Sequence, residues 1–178
     1  MVAIDLWTTV VHLRRGHDVG DLADLLQRAK EAEELQVVAP ALALSALAAD
    51  ANGDTDRVAA LVEEFETTTR GKAAMYRSEW LPSMARLAVA LGIGGVAEDL
   101  VTLVERATPR DELLIDTAVA VVAGDADAHA AASAWAELER RWAAYGCPYE
   151  QALAAIASGQ AEAVERGRSI LAGLGVAT

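Results

Sequence analysis

Apolar side chains recur along this chain at three- and four-residue steps, the spacing that gathers them on one side of an α-helix. Leu22, Leu25, Leu26 and Ala29 follow the i, i+3, i+4, i+7 pattern, and Val58, Leu61, Val62 and Phe65 repeat it. Val96, Leu100, Leu103, Val104 and Ala107 keep the same period, as do Ala131, Trp135, Leu138, Trp142 and Tyr145. Strict alternation, the mark of a strand, never runs beyond a few residues. The pattern predicts an all-α protein.

Glycines and prolines cut the periodic runs apart. Gly16-His17-Asp18, Asn52-Gly53-Asp54, Gly92-Ile93-Gly94-Gly95, Gly124-Asp125 and Gly159-Gln160 each close one apolar run and precede another. Glycine fits the left-handed position after a helix, and aspartate caps the next helix through its carboxylate. The first glycines of these groups stand 37, 39, 32 and 35 residues apart. A second set of breaks falls between them, at Gln36 to Pro40, Arg70-Gly71-Lys72, Thr108-Pro109 and Gly146-Cys147-Pro148. Proline suits a first helical turn, where its missing N–H costs nothing.

The expected result is ten helices in five hairpins: 3–15 with 19–34, 38–51 with 54–68, 73–91 with 95–107, 110–123 with 126–145, and 148–158 with 160–174. Pro82 implies a kink in the fifth helix, or a helix that starts there. Hairpins that recur at such intervals mark a helical solenoid, because each buries its apolar stripe only by stacking on its neighbours. The expected fold is all-α, a right-handed helical-hairpin solenoid of about ten antiparallel helices. Small residues such as Ala46, Ala88 and Ala131 are expected where helices approach closely. Without a linker or a composition step, residues 1–178 read as a single domain.

Composition agrees with helices and narrows the function. The 178 residues include 40 alanines and only eight aromatics, a profile that favours helix over strand. Asp+Glu outnumber Lys+Arg by 27 to 15, a formal charge of −12; such a surface repels phosphate, so no direct nucleic-acid partner is expected. One cysteine, Cys147, leaves no internal disulfide framework and no multi-cysteine metal site. No run of about 18 uncharged apolar residues occurs, so no membrane span is expected. The opening Met1-Val2-Ala3-Ile4-Asp5 has neither a basic stretch nor an apolar one, which makes the cytoplasm the expected location.

Gly53-Asp54-Thr55-Asp56-Arg57-Val58-Ala59-Ala60-Leu61 resembles the turn and second helix of a tetratricopeptide repeat, with Val58 where a small residue normally sits. The Trp-Leu-Gly pattern of the repeat's first helix is missing from most hairpins. A closer resemblance runs from Trp80-Leu81-Pro82-Ser83-Met84-Ala85-Arg86-Leu87-Ala88-Val89-Ala90-Leu91-Gly92 through Ala97-Glu98-Asp99-Leu100 and Gly124-Asp125. It continues in Trp142-Ala143-Ala144-Tyr145-Gly146-Cys147-Pro148-Tyr149-Glu150-Gln151-Ala152-Leu153 and ends at Leu171-Ala172-Gly173-Leu174-Gly175. This order is similar to the degenerate tetratricopeptide-like region of bacterial LuxR-type regulators related to the maltose activator, and of adenylate/guanylate cyclase-like ATPases. It covers residues 80–175 well, and 1–79 only by repeat pattern. In that family the helical region lies between a nucleotide-binding ATPase module and, in regulators, a helix-turn-helix. The sequence holds no Gly-x-x-x-x-Gly-Lys-Ser/Thr loop and ends at Thr178, where a helix-turn-helix would begin. The ATPase and DNA-binding roles therefore fall on no residue here. What the resemblance implies is a sensor or scaffold.

Candidate chemistry is sparse. His12, His17 and His129 are scattered, with no His-x3-His or His-Glu-x-x-His pair, so no metal site or other cofactor is expected. Cys147 sits in a turn with no histidine near it in sequence, and its nearest cations by sequence are Arg140 and Arg141; it reads as an inert turn cysteine. The carboxylates Glu31, Glu33, Glu34 and Glu63, Glu64, Glu66 read as solvated outer faces. Trp135 and Trp142, seven apart, read as packing between the last two hairpins. Tyr76, Arg77, Trp80 and Met84 form a mixed aromatic and charged group at the centre of the array, and Tyr149 begins the last hairpin. Aromatic and arginine side chains anchor interfaces, so these five are the candidate partner-binding residues, against burial between hairpins.

The expected function is a non-catalytic protein-interaction or effector-sensing scaffold of bacterial signalling and transcription regulation, not an enzyme. Its partner would be a protein or peptide, a second copy of the chain, or a small effector. The alternative is a small-molecule-binding helical bundle, or an enzyme whose site the sequence does not display. In a hairpin arc the first helix of each pair lines the inner face. First helices here are poor in charge: residues 38–49 carry none, and 113–123 carry only Asp116. The inner face should therefore suit a peptide, a neighbouring helix or a small apolar effector.

Overall fold

The apolar stripes fold as helices, except that the one from Val96 to Ala107 is helical only as far as Val101. The computed structural model describes residues 2–176 apart from 16, 18, 21, 103 and 127, with backbone alone at 2–4, 14, 125, 126 and 128–130. The helices are α1 (Val2–Arg14), α2 (Ala23–Ala32), α3 (Leu35–Ala51), α4 (Thr55–Thr69) and α5 (Leu81–Ala90). They continue as α6 (Gly94–Val101), α7 (Pro109–Ala126), α8 (Ala128–Tyr145), α9 (Pro148–Ala157) and α10 (Ala161–Gly173). Among the described residues there is no strand, and no helix is long and apolar enough to cross a membrane. The fold is all-α.

Local chemistry explains where the boundaries differ from the pattern. Gly53 and Gly92 hold φ of 73° and 69°, the left-handed geometry that ends α3 and α5 without a Cβ clash. The junction of α2 and α3 has no glycine. Glu33 takes the left-handed position itself, with φ of 54°, and its N–H donates to the Lys30 carbonyl. The break thus falls before Leu35, and Pro40 lies inside α3. Pro40 deletes one backbone bond, while residues 41–46 are buried on every side of the helix, which outweighs that loss. Pro82 is the second residue of α5, preceded by two 3₁₀ turns, Ala74–Tyr76 and Ser78–Trp80. The helix starts there and does not kink. α6 stops at Val101, six residues short of its expected end, and α7 runs past Gly124. Gly16 and Asp18, expected to separate the first two helices, lie outside the described residues.

Packing runs chiefly between consecutive helices. α3 lies along α4, α7 along α8, α8 on α9 and α9 on α10, and α5 lies against α7. Two apolar clusters result. The larger holds Leu42, Leu44, Phe65, Leu81, Met84 and Leu100; the smaller holds Leu113, Leu114, Trp135, Leu138 and Trp142. Ala46 and Ala88 are fully buried, and Ala131 lies under Gly124. Not every acidic cluster is solvated. Glu66 is buried at 3% exposure, with both oxygens held by Arg70, which also reaches Asp99 at 3.0 Å.

Two helical glycines give opposite predictions. At Gly167 a Cβ would lie 2.6 Å from the Ala152 carbonyl and 2.7 Å from Ile156 Cγ1, because α10 and α9 touch there. Gly167→Ala should destabilise: about 1–3 kcal/mol of overpacking exceeds about 1 kcal/mol of helix propensity. At Gly124 the nearest atom is Ala131 Cβ at 3.4 Å, so Gly124→Ala should gain about 0.5–1 kcal/mol. Urea midpoints moving in opposite directions for the two variants are the expected outcome.

Candidate functional site

A cavity of about 420 Å³ opens where the two apolar clusters meet. Its walls come from the odd-numbered helices: Val10 and Leu13 of α1, Leu44 and Leu47 of α3, Pro82 of α5, Leu114 of α7, and Leu153 and Ile156 of α9. Two indoles complete it, Trp80 from the second 3₁₀ turn and Trp142 from α8. Its polar residues are Glu79, Ser83, Arg86, Thr117, Tyr149 and Glu150. A mostly apolar hollow with a few polar groups is the usual form of a small-molecule site.

The start of α7 sets much of this geometry. Pro109 is its first residue, and Thr108 before it accepts a hydrogen bond at Oγ1 from the Asp111 N–H at 3.1 Å. The Thr108 hydroxyl in turn donates to Asp111 Oδ2 at 2.7 Å, and the Ser78 hydroxyl donates to Asp111 Oδ1 at 2.5 Å. Thr108 Oγ1 thus caps the helix end, while the buried Asp111 carboxylate orients that hydroxyl and ties the Ser78–Trp80 turn to α7. Glu79 and Arg110 are thereby set side by side. Arg110 donates to Glu79 Oε2 through Nη2 at 2.7 Å and Nε at 3.2 Å, and lies 3.7 Å from Glu150 Oε1. Burial works against its charge, but the Glu79 hydrogen bonds and the two carboxylates outweigh that and hold its pKa above the ordinary arginine value. The same guanidinium reaches Cys147 Sγ at 3.5 Å and lies 6.0 Å from the Trp142 ring centroid. Trp142 Nε1 donates to Thr117 Oγ1 at 3.1 Å, and the Thr117 hydroxyl donates to the Leu113 carbonyl.

Arg86 stands apart from this network. It is partly buried on the cavity wall, and among the described residues its guanidinium has no hydrogen bond or ion pair. Burial pulls its pKa below the ordinary arginine value, partly offset by Tyr149; an arginine nevertheless keeps its proton. It is also the one charged residue of α5, and that isolation was visible in the sequence without being singled out.

The five candidate partner-binding residues do not form one group. Trp80 and Tyr149 line the cavity. Met84 is fully buried in the larger cluster. Arg77 is buried too: its Nη2 donates to the Leu100 carbonyl at 2.7 Å, closing the C-terminal end of α6. Tyr76 is partly buried in the first 3₁₀ turn. Trp135 and Trp142 are both buried in the smaller cluster. His12 and His17 are exposed, with ring centroids 5.4 Å apart, and the side chain of His129 lies outside the described residues. Among the described residues, no cluster of three or more His, Cys, Asp or Glu that could hold a metal ion occurs. Arg110 and Glu150, like Arg86, were not singled out by sequence. Their pairings join residues 31 to 40 apart in the chain, which no local spacing displays.

Comparison with protein-family models, with curated proteins and with solved structures finds no match to this chain.

Asp111→Ala should cost about 1–3 kcal/mol, because it strands the buried Ser78 hydroxyl and frees the capping Thr108 hydroxyl from the group that orients it. It should also loosen the Glu79–Arg110 contact. Thermal unfolding, with near-ultraviolet circular dichroism of Trp80 and Trp142, checks both effects; an unchanged melting temperature refutes the role given to this carboxylate.

Proposed function

We propose that this chain is a non-catalytic, effector-sensing scaffold, built as a tetratricopeptide-like arc of helical hairpins whose first helices form its inner wall. The observation that carries the reading is the cavity: α1, α3, α5, α7 and α9 all contribute to it. Packing between consecutive helices, with α5 against α7, supports the stacked-hairpin arrangement. The order of Trp80-Leu81-Pro82 and Trp142 to Tyr149 agrees with the helical region of LuxR-type regulators, in which such an arc senses and relays. A volume of about 420 Å³ favours a small molecule over a peptide or a docked helix, since small-molecule sites span roughly 300–1,000 Å³.

Sensing in this arrangement is a matter of linkage. A ligand that touches α1 and α9 at once favours the conformation in which those helices are close, and shifts the population by its differential affinity. Nothing in the reading requires bond-making chemistry.

The test uses the neutral fluorescent probe N-phenyl-1-naphthylamine. It should bind saturably, one per chain, and quench emission from Trp80 and Trp142. Leu153→Trp, which puts an indole into the hollow, should abolish binding while far-ultraviolet circular dichroism stays helical. Absence of saturable binding to the parent chain, or undiminished binding to the filled variant, overturns the reading.

A further inference from the structure

A charge partly withdrawn from water onto an apolar wall is as a rule paired with another protein group. Among the polar residues of the cavity, the carboxylates are provided for and the arginine is not. Glu79 accepts two hydrogen bonds from Arg110, and Glu150 lies beside the same guanidinium. The Thr117 hydroxyl is used twice, by Trp142 and by the Leu113 carbonyl. Arg86 faces an apolar hollow with its fork of donors unused. Arg15 and Arg168, in contrast, are exposed, where water solvates the charge.

We propose that the cavity takes a small amphipathic monoanion, its carboxylate held by the guanidinium of Arg86 and its apolar body lying against Leu44, Leu114 and Leu153. The inference rests on the effector-binding reading above and names the class of effector. A planar guanidinium matches the two oxygens of a carboxylate in a bidentate pair. A doubly charged phosphate is disfavoured, because Arg110 is committed to Glu79 and Glu150, leaving one cation for the ligand. The net charge of −12 acts in the same direction. The apolar walls require a body without further charge, and Tyr149 adds a phenol to the lining.

The experiment is displacement of bound N-phenyl-1-naphthylamine by octanoate, octan-1-ol and octylamine, each below its micellar range. Octanoate should displace the probe at a concentration roughly ten- to a hundredfold lower than octan-1-ol, the range expected for a charge-assisted hydrogen bond. Arg86→Met should erase that preference and leave octan-1-ol unchanged; Arg86→Lys should retain part of it. Equal or stronger displacement by octan-1-ol or octylamine in the parent chain overturns the inference while leaving the effector-binding reading intact, and so does an undiminished preference in Arg86→Met. If the methionine variant fails to fold, the parent series and Arg86→Lys decide the matter. Failure of the probe itself to bind overturns the underlying reading, and the inference falls with it.

Discussion

The buried carboxylate of Asp111 is the contact on which the arrangement of the cavity depends. It accepts from Ser78 and Thr108 at once, so one side chain fixes both the start of α7 and the position of the 3₁₀ turn before α5. From the first follows the position of Arg110, and from the second those of Glu79 and Trp80. The Glu79–Arg110 pair then joins the two segments again, one turn removed, and Arg110 reaches across to α9 through Glu150 and Cys147. A single carboxylate in the first turn of a helix thus sets one whole wall of the hollow.

The use of arginine elsewhere follows from the acid-rich composition. Arg28 bridges Asp5 and Asp24, Arg106 and Arg141 both reach Asp116, and Arg166 pairs with Glu139. Such partly exposed pairs contribute little stability each, but they link α1 to α2, α7 to α8 and α8 to α10, and so favour one register among amphipathic helices. Burial asks more of Arg77, whose one hydrogen-bond partner among the described residues is the Leu100 carbonyl and whose Nε has none. Its pKa is lowered by that burial. Against this background the unpaired guanidinium of Arg86 is an exception in position as well as in partners.

Helices were legible in the sequence because they are local. The stripes of Val58 to Phe65 and Ala131 to Trp142 fall on buried faces, and Gly53, Gly92 and Pro148 stop or start helices where turn chemistry demands. The charge-poor segments 38–49 and 113–123 also face inward for the most part. The sequence could not show contacts made at a distance. Nothing near Cys147 in the chain announces Arg110, and nothing near Arg77 announces that its guanidinium closes α6. A group of aromatic and charged residues at helical spacing looked like one surface, yet the two 3₁₀ turns break that spacing and send Trp80 and Arg77 to different places. Arg86 was the readable exception: a lone charge in a ten-residue helix is itself a signal.

The cavity also bears on how the ends of the chain behave. Helices that pack mainly on their sequence neighbours form a nearly one-dimensional array, in which terminal units fray with little help from the middle. Here Val10 and Ala157 share one hollow, although 147 positions separate them. An occupant in contact with both joins the first helix to the ninth without a covalent bond. It removes the independence of the two ends and converts graded fraying into a concerted opening. Slow-exchanging amides would then extend into α1 and α9 together, as one cooperative unit.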